Sequence, residues 1–284
     1  MITTLRDYQA ETLTQIKRCV ASGQRRIMVQ APTGSGKTKI AAAIVLGAVD
    51  KGNRIAFSVP FITLIDQTCR SFLDEGLEAM ADVAVIQAQH EWSNQYAPVQ
   101  VCSLDTLARR GEPTVDVVIV DEAHRHNRFL YQWMEREPNK IFIGLTATPW
   151  SKGLGKHWQQ LLIGTTTQEL IDREYLSPFR VFAPSAPDLE GLKVVRGEWE
   201  QEELGKRVSE TKLIASIVDT WIERAERRPT ILYGVNRAHA KLLQMQFLSK
   251  NVNAGYMDAH TEIDEREAFR VAFHSGDIAV MCNV

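Results

Sequence analysis

The chain has 284 residues, is 44% hydrophobic and 24% charged, and carries a net charge of −2 with a pI near 6.4. That length suits one large domain or two ordinary ones, and the near-neutral charge excludes a global basic field, so any nucleic-acid binding must come from a local surface. No apolar run reaches the ~18–20 residues of a membrane span and the start, Met-Ile-Thr-Thr-Leu-Arg, lacks a signal-peptide pattern, which predicts a cytoplasmic protein.

Taken in order, residues 5–20 place Leu13, Ile16 and Val20 at helical spacing. Cys19, Cys69, Cys102 and Cys282 are scattered with no C-x-x-C pair, which predicts reduced thiols. Ile27 to Val29 forms a short apolar run suited to a buried strand, Ala31 to Gly36 a turn of small residues, and Lys37 onward a buried helix. Strand, tight loop and helix start together make an anion site, because backbone N–H groups point into the loop and the helix dipole favours negative charge. Pro32, Thr33, Gly34, Ser35, Gly36, Lys37 and Thr38 fit the second half of the pattern G-x-x-x-x-G-K-[ST], with Ala31 replacing its first glycine. The glycines let backbone curl around phosphate oxygens, Lys37 reaches the β/γ-phosphates, and the Thr38 hydroxyl holds Mg²⁺.

After a turn at Lys51-Gly-Asn-Arg54 come strand Ile55–Val59, a helix from about Ile62 to Leu73, and strands at Val83–Gln87 and Pro98–Ser103. A helix near Thr106–Arg110 precedes the β-branched run Asp116–Val120, which suits a central strand covered on both faces. That run ends in Asp121-Glu122-Ala-His124. Two carboxylates at a strand end suit phosphoryl transfer, in which Asp121 holds Mg²⁺ and Glu122 orients and deprotonates the attacking water. Residues 128–136 are helical in pattern and Lys140–Leu145 is another strand. Strands alternating with helices predict a parallel α/β sheet with its active residues at the carboxyl ends of strands.

Residues 184–210 break the rhythm with Pro184, Pro187, Gly191 and Gly197 among charges, and read as a linker containing a short strand at Leu192–Val195. A second α/β pattern follows: helix Thr211–Ala225, strand Thr230–Val235, helix Arg237–Ser249, strand Ala254–Met257, helix Asp264–His274 and strand Asp277–Cys282. His90, His124 and His126 have no carboxylate or cysteine at tetrahedral-ligand spacing, which argues against zinc, and no G-x-S-x-G elbow supports serine hydrolysis.

As an ordered set, Ala31-Pro-Thr-Gly-Ser-Gly-Lys-Thr38, Asp121-Glu-Ala-His124 and Thr146-Ala-Thr148 resemble the motor core of superfamily 2 DEAD/DEAH-box helicases, closest to the RadD-type bacterial and phage group. Leu5-Arg-Asp-Tyr-Gln9 resembles that family's entry motif and Val59-Pro-Phe-Ile-Thr-Leu-Ile-Asp-Gln67 its motif Ia. The resemblance covers residues 1–183 well and 211–284 in part. It implies a RecA-like P-loop domain over 1–183, a linker over 184–210, and the amino-terminal part of a second RecA-like domain over 211–284.

It also implies ATP and Mg²⁺ as cofactors. The Gln9 amide would read both the N7 and N6 positions of adenine, with Arg6 stacking on or bridging to the base. Thr146, Thr148 and His124 would couple nucleotide state to the nucleic-acid side. Thr63, Gln67, Thr106, Asn236 and Thr261 would touch the nucleic-acid backbone, with DNA the partner expected for this group. Motif Ia departs from the family: Phe61-Ile62 stands where relatives often carry a basic residue, which weakens phosphate grip or makes Phe61 a stacking or packing residue.

The family supplies arginines from a late Q-x-x-G-R-x-x-R motif in the second lobe, and no such motif occurs before Val284. The resemblance therefore implies a C-terminally truncated helicase, needing a further domain or protein to complete the second lobe and hydrolysing ATP slowly alone. Two functional readings stand at this point. One is an ATP-dependent helicase or translocase acting on DNA; the other is a non-motor ATP-binding switch or scaffold in a nuclease or restriction complex. A DEAD-box RNA helicase is disfavoured by His124 in place of aspartate.

Overall fold

A computed structural model describes residues 4–77, 82–87, 90–182, 188–195, 198–209 and 211–284. The chain divides into two compact units, residues 1–179 and 180–284.

In the first unit, α1 (Asp7–Ala21) leads into β1 (Arg26–Gln30), α2 (Lys37–Val49), β2 (Ile55–Val59), α3 (Ile65–Asp74), β3 (Val83–Val85), β4 (Val99–Ser103) and α4 (Leu104–Arg110). Then come β5 (Val117–Asp121), α5 (Arg128–Arg136), β6 (Ile141–Thr146), β7 (Gln160–Ile163) and α6 (Thr167–Asp172). Among the described residues the strands form one sheet in the order β3-β4-β2-β5-β6-β1-β7, every pairing parallel. Side chains alternate across it. Ile27, Val29, Phe57, Ile119 and Ile143 pack toward Ile16 of α1, Val45 of α2 and Phe72 of α3. Met28, Ala56, Val118 and Phe142 pack toward Leu107 of α4 and Leu130 and Trp133 of α5. Each of the larger side chains among them contributes about 1.5–3 kcal/mol by leaving water, and with helices on both faces the central strands are largely apolar.

This is the RecA-like α/β architecture, and β1, β2, β4, β5 and β6 all deliver their motifs at one edge of the sheet, as parallel strands must. The helix expected from Ile62 begins as a 3₁₀ turn over Ile62–Leu64 before α3. Two elements lie where the sequence offered none. β7 is a four-residue edge strand, buried at Leu162 but exposed at Ile163, so its apolar alternation is too short to stand out. The α6 start is a capping box in which the Thr166 hydroxyl accepts from Glu169 N–H and Glu169 accepts from Thr166 N–H.

The second unit contains β8 (Val194–Val195), β9 (Glu198–Trp199), α7 (Gln201–Val208), α8 (Thr211–Arg224), β10 (Thr230–Tyr233), α9 (Arg237–Ser249), β11 (Ala254–Met257), α10 (Ile263–Ser275) and β12 (Val280–Asn283). The linker expected over 184–210 falls partly outside the described residues, and its described part holds a helix. Glu200 caps α7 by accepting from the N–H groups of Glu202 and Glu203, and acidic residues lead while Lys206 and Arg207 close, as the helix dipole favours. Strands β10, β12 and β11 form a parallel sheet in that order. Ile214, Val218, Leu243, Phe247, Val280 and Cys282 make its core. No described helix is long and apolar enough to cross a membrane.

Candidate functional site: a phosphate loop wired to an acidic strand end

The loop between β1 and α2 curls through two left-handed glycines, Gly34 (φ 82°) and Gly36 (φ 76°). A Cβ on Gly36 would lie 2.6 Å from Gln9 Nε2, and one on Gly34 would lie 2.6 Å from the Leu176 side chain. Both glycines are required for backbone sign, and a side chain at either would also displace the end of a neighbouring side chain. Gly36 caps α2, whose first N–H groups have no partner within the helix. Those N–H groups, the Lys37 ammonium and the exposed Thr38 hydroxyl all sit at one helix start, where an anion is favoured.

The loop is braced from α1. Gln9 is 1% exposed; its Nε2 donates to the Ser35 carbonyl at 2.9 Å, and its Oε1 accepts from Arg6 N–H at 2.9 Å. One amide hydrogen and one lone pair remain uncommitted. The Tyr8 hydroxyl donates to the same Ser35 carbonyl at 2.7 Å. Arg6 stacks its guanidinium 3.9 Å from the Tyr175 ring centre and donates to the Tyr8 hydroxyl. Tyr8, Tyr175 and Leu176 thus belong to the loop's surroundings, though only Gln9 and Arg6 were singled out from sequence. Tyr8 lay within the quoted motif; Tyr175 and Leu176 are about 140 residues away with no local signal.

Across the sheet edge, β5 ends in the acidic pair. Lys37 Nζ donates to Glu122 Oε1 at 2.7 Å. His124 Nδ1 lies 2.8 Å from Thr146 Oγ1 and 3.3 Å from Glu122 Oε2, within reach of both oxygens. Thr146 Oγ1 also accepts from Thr148 N–H at 3.1 Å, and the Thr146 carbonyl accepts from Ala31 N–H at 2.8 Å. The result is a continuous polar path from phosphate loop to β6. Glu122 holds φ at 48°, a left-handed conformation costing a non-glycine residue roughly 1–2 kcal/mol. Ala123 N–H to Leu145 carbonyl and Arg125 N–H to Glu122 carbonyl fix it. Burial pushes the Asp121 carboxyl above its usual pKa and the adjacent Glu122 charge adds to this, while Lys37 opposes it. Acid therefore protonates Asp121 at a higher pH than an ordinary aspartate. Asp121 and Thr38 offer hard oxygen donors of the kind Mg²⁺ takes.

The remaining expected contacts sort by position. Thr63 and Gln67 are exposed beyond β2. Thr106 follows the neighbouring β4, where its hydroxyl pairs with the capping Ser103 hydroxyl at 2.9 Å. Asn236 and Thr261 belong to the second unit. Asn236 caps α9 by accepting from His239 N–H, and Thr261 Oγ1 accepts from Asp258 N–H. A cavity of about 180 Å³ opens beside the acidic pair, lined by Ser58, Pro60, Asp105, Asp121, Arg125 and Asn127 among others. A roomier one of about 530 Å³, lined by Arg54, Tyr96, Gln100 and Arg110 among others, touches none of this machinery.

With that geometry in place, similarity to known proteins is specific. Residues 2–151 match the family described as type III restriction enzyme, res subunit. A 51.5 kDa protein of a Lactococcus phage (isolate 7-9) is 27% identical over 263 residues, covering 90% of this chain and 54% of the phage protein. The putative ATP-dependent helicase IRC3 of Saccharomyces cerevisiae is 22% identical over 322 residues, covering 98% and 44%. The chain thus spans about half the length of these relatives. In fold it is similar to the Hef helicase domain of Pyrococcus furiosus (TM-score 0.59, 16% identity, 98% of this chain and 85% of that one). It is also similar to the DUF1998 helicase MrfA in a structure bound to DNA (TM-score 0.57, 16% identity, 98% and 42%).

Proposed function

The chain belongs to the type III restriction enzyme res-subunit family, a helicase-like family of ATP-dependent nucleic-acid enzymes, and on that premise we propose that it couples ATP hydrolysis to movement on, or unwinding of, DNA. The observation that carries this reading is the polar path Lys37–Glu122–His124–Thr146–Thr148. It joins the group that would hold the terminal phosphate to the strand end that would sense it.

Each residue has a role in this reading. The helix-start N–H groups and Lys37 cradle the phosphates, and Lys37 leaves Glu122 when they arrive. Glu122, released, accepts a proton from water and aims it. Asp121 and Thr38 would hold Mg²⁺, which when bound neutralises charge on the phosphates. To read the adenine edge, the buried Gln9 amide would turn outward from the Ser35 carbonyl, and Arg6 would flank the base. His124 and Thr146 register the Glu122 position and pass it to the Thr148 loop. Thr63, Gln67 and Thr106 contact the nucleic-acid backbone from the edges of β2 and β4, and Asn236 and Thr261 do so from the second unit. The fold similarity to a helicase in a DNA-bound structure supports DNA as partner.

The test is ATP turnover with and without single- and double-stranded DNA and RNA, beside oligonucleotide affinity with and without ATP. Turnover is expected to be slow, to rise with DNA, and to vanish in Lys37→Ala. Turnover indifferent to every nucleic acid would overturn the motor. ATP-dependent partner binding without strand separation would favour a switch or scaffold in a restriction complex.

A further inference from the structure

Among the exposed aromatic side chains of the first unit, which include Tyr96, Trp150 and Phe179, Phe61 is the one at the carboxyl end of a central strand. Phe57 and Phe72, by contrast, are 3% and 0% exposed and meet edge to face at 5.0 Å. Phe61, four residues beyond Phe57, is 56% exposed, and the next residue, Ile62, is 46% exposed. The backbone at Phe61 is extended (φ −136°, ψ 141°), lifting the ring off the carboxyl end of β2 immediately before the 3₁₀ turn. It is not alone there. Arg125, one residue past the acidic motif in the turn that follows the neighbouring β5, holds its guanidinium carbon 4.6 Å from the Phe61 ring centre. Pro60 and Arg125 also line the 180 Å³ cavity that runs back to Asp121.

An apolar ring kept in water on a motor surface, backed by a cation on one face, has chemistry of its own. A guanidinium over an aromatic face is held by the ring quadrupole, which fixes the ring's orientation while leaving its remaining surface to solvent. A flat, oriented aromatic ring suits a nucleobase, every one of which has a π-face, and suits it whatever the base identity. A phosphate finds no partner on a phenyl ring. Thr63 and Gln67, exposed on the same segment, offer polar groups for the flanking backbone.

We infer that Phe61, held by Arg125, is a base-stacking platform, so that this surface grips single-stranded nucleic acid through an unstacked base. Bases in a duplex are already stacked and paired, so the platform favours single strands over duplex. The inference rests on the nucleic-acid reading above and goes beyond its backbone contacts.

The experiment compares anisotropy-measured affinity for a labelled single-stranded DNA, the same strand with a run of abasic sites, and a duplex, all at low salt. The wild type is expected to prefer the base-bearing strand over the abasic one by roughly 5- to 150-fold, the range for stacking one base. Phe61→Ala and Phe61→Leu should lose that margin and bind both strands at the abasic level. Phe61→Trp should keep it, and Arg125→Ala should shrink it. A thermal melt of each variant reports whether the fold is intact. If the wild type ignores the abasic substitution, or Phe61→Ala keeps the margin, the platform is wrong while salt-sensitive binding leaves the nucleic-acid reading standing. If the wild type binds none of the three DNAs, that reading falls and takes the platform with it.

Discussion

Lys37 is ion-paired with Glu122 at 2.7 Å. In the proposed mechanism the same carboxylate activates water, so the base would be neutralised until a phosphate takes its partner away. Glu122→Gln removes the competing anion and the base together. It is expected to bind ATP severalfold more tightly by titration calorimetry while turnover falls by roughly 10²–10⁴, the usual contribution of a general base. Weaker ATP binding in this variant would mean that Glu122 positions Lys37 rather than competing for it. At this scale the sequence was informative where chemistry is local. Gly34, Gly36, Lys37, Asp121 and Glu122 sit in short motifs whose neighbours in the chain are their neighbours in space. The Tyr8 hydroxyl on the Ser35 carbonyl and the Tyr175 ring on Arg6 are long-range consequences of folding, and no spacing rule reaches them.

Between elements, one tight join is where β6 passes beneath the acidic loop. Gly144 in β6 has no room for a side chain, because a Cβ there would lie 2.6 Å from Ala123 Cβ and 2.6 Å from the Trp158 ring. Ala123 lies between Glu122 and His124, so extra volume at Gly144 pushes directly on the acidic loop. Gly144→Ala is expected to cost about 1–3 kcal/mol by chemical denaturation, the usual penalty for overpacking, and to weaken ATP turnover as Glu122 shifts. Unchanged stability would show that the Trp158 ring moves aside freely. The core strands were legible because both faces are apolar and β-branched. Edge strand β7 and helix α7 were not, since short elements at a unit's margin carry half a pattern. The Thr166-x-x-Glu169 box before α6 was a readable start signal that composition alone hides.

For the whole molecule, each compact unit has its own core, and every described contact of Gln9, the phosphate loop, Glu122, His124 and Thr146 is internal to residues 1–179. A protein comprising only those residues is therefore expected to fold and bind Mg·ATP within a few-fold of the full chain, and to lose nucleic-acid-stimulated turnover. A fragment that fails to bind ATP while showing a cooperative melt would place essential nucleotide contacts in residues 180–284. The chain's net charge of only −2 gives it little long-range pull on a polyanion, so attraction must come from the site itself. In the proposed mechanism the Lys37–Glu122 bridge would make nucleotide entry an ion exchange: one anion leaves a fixed cation as another arrives, and few charges are newly paired. Affinity for ATP should accordingly change little with ionic strength in the wild type, and more steeply in Glu122→Gln, where the lysine is left bare.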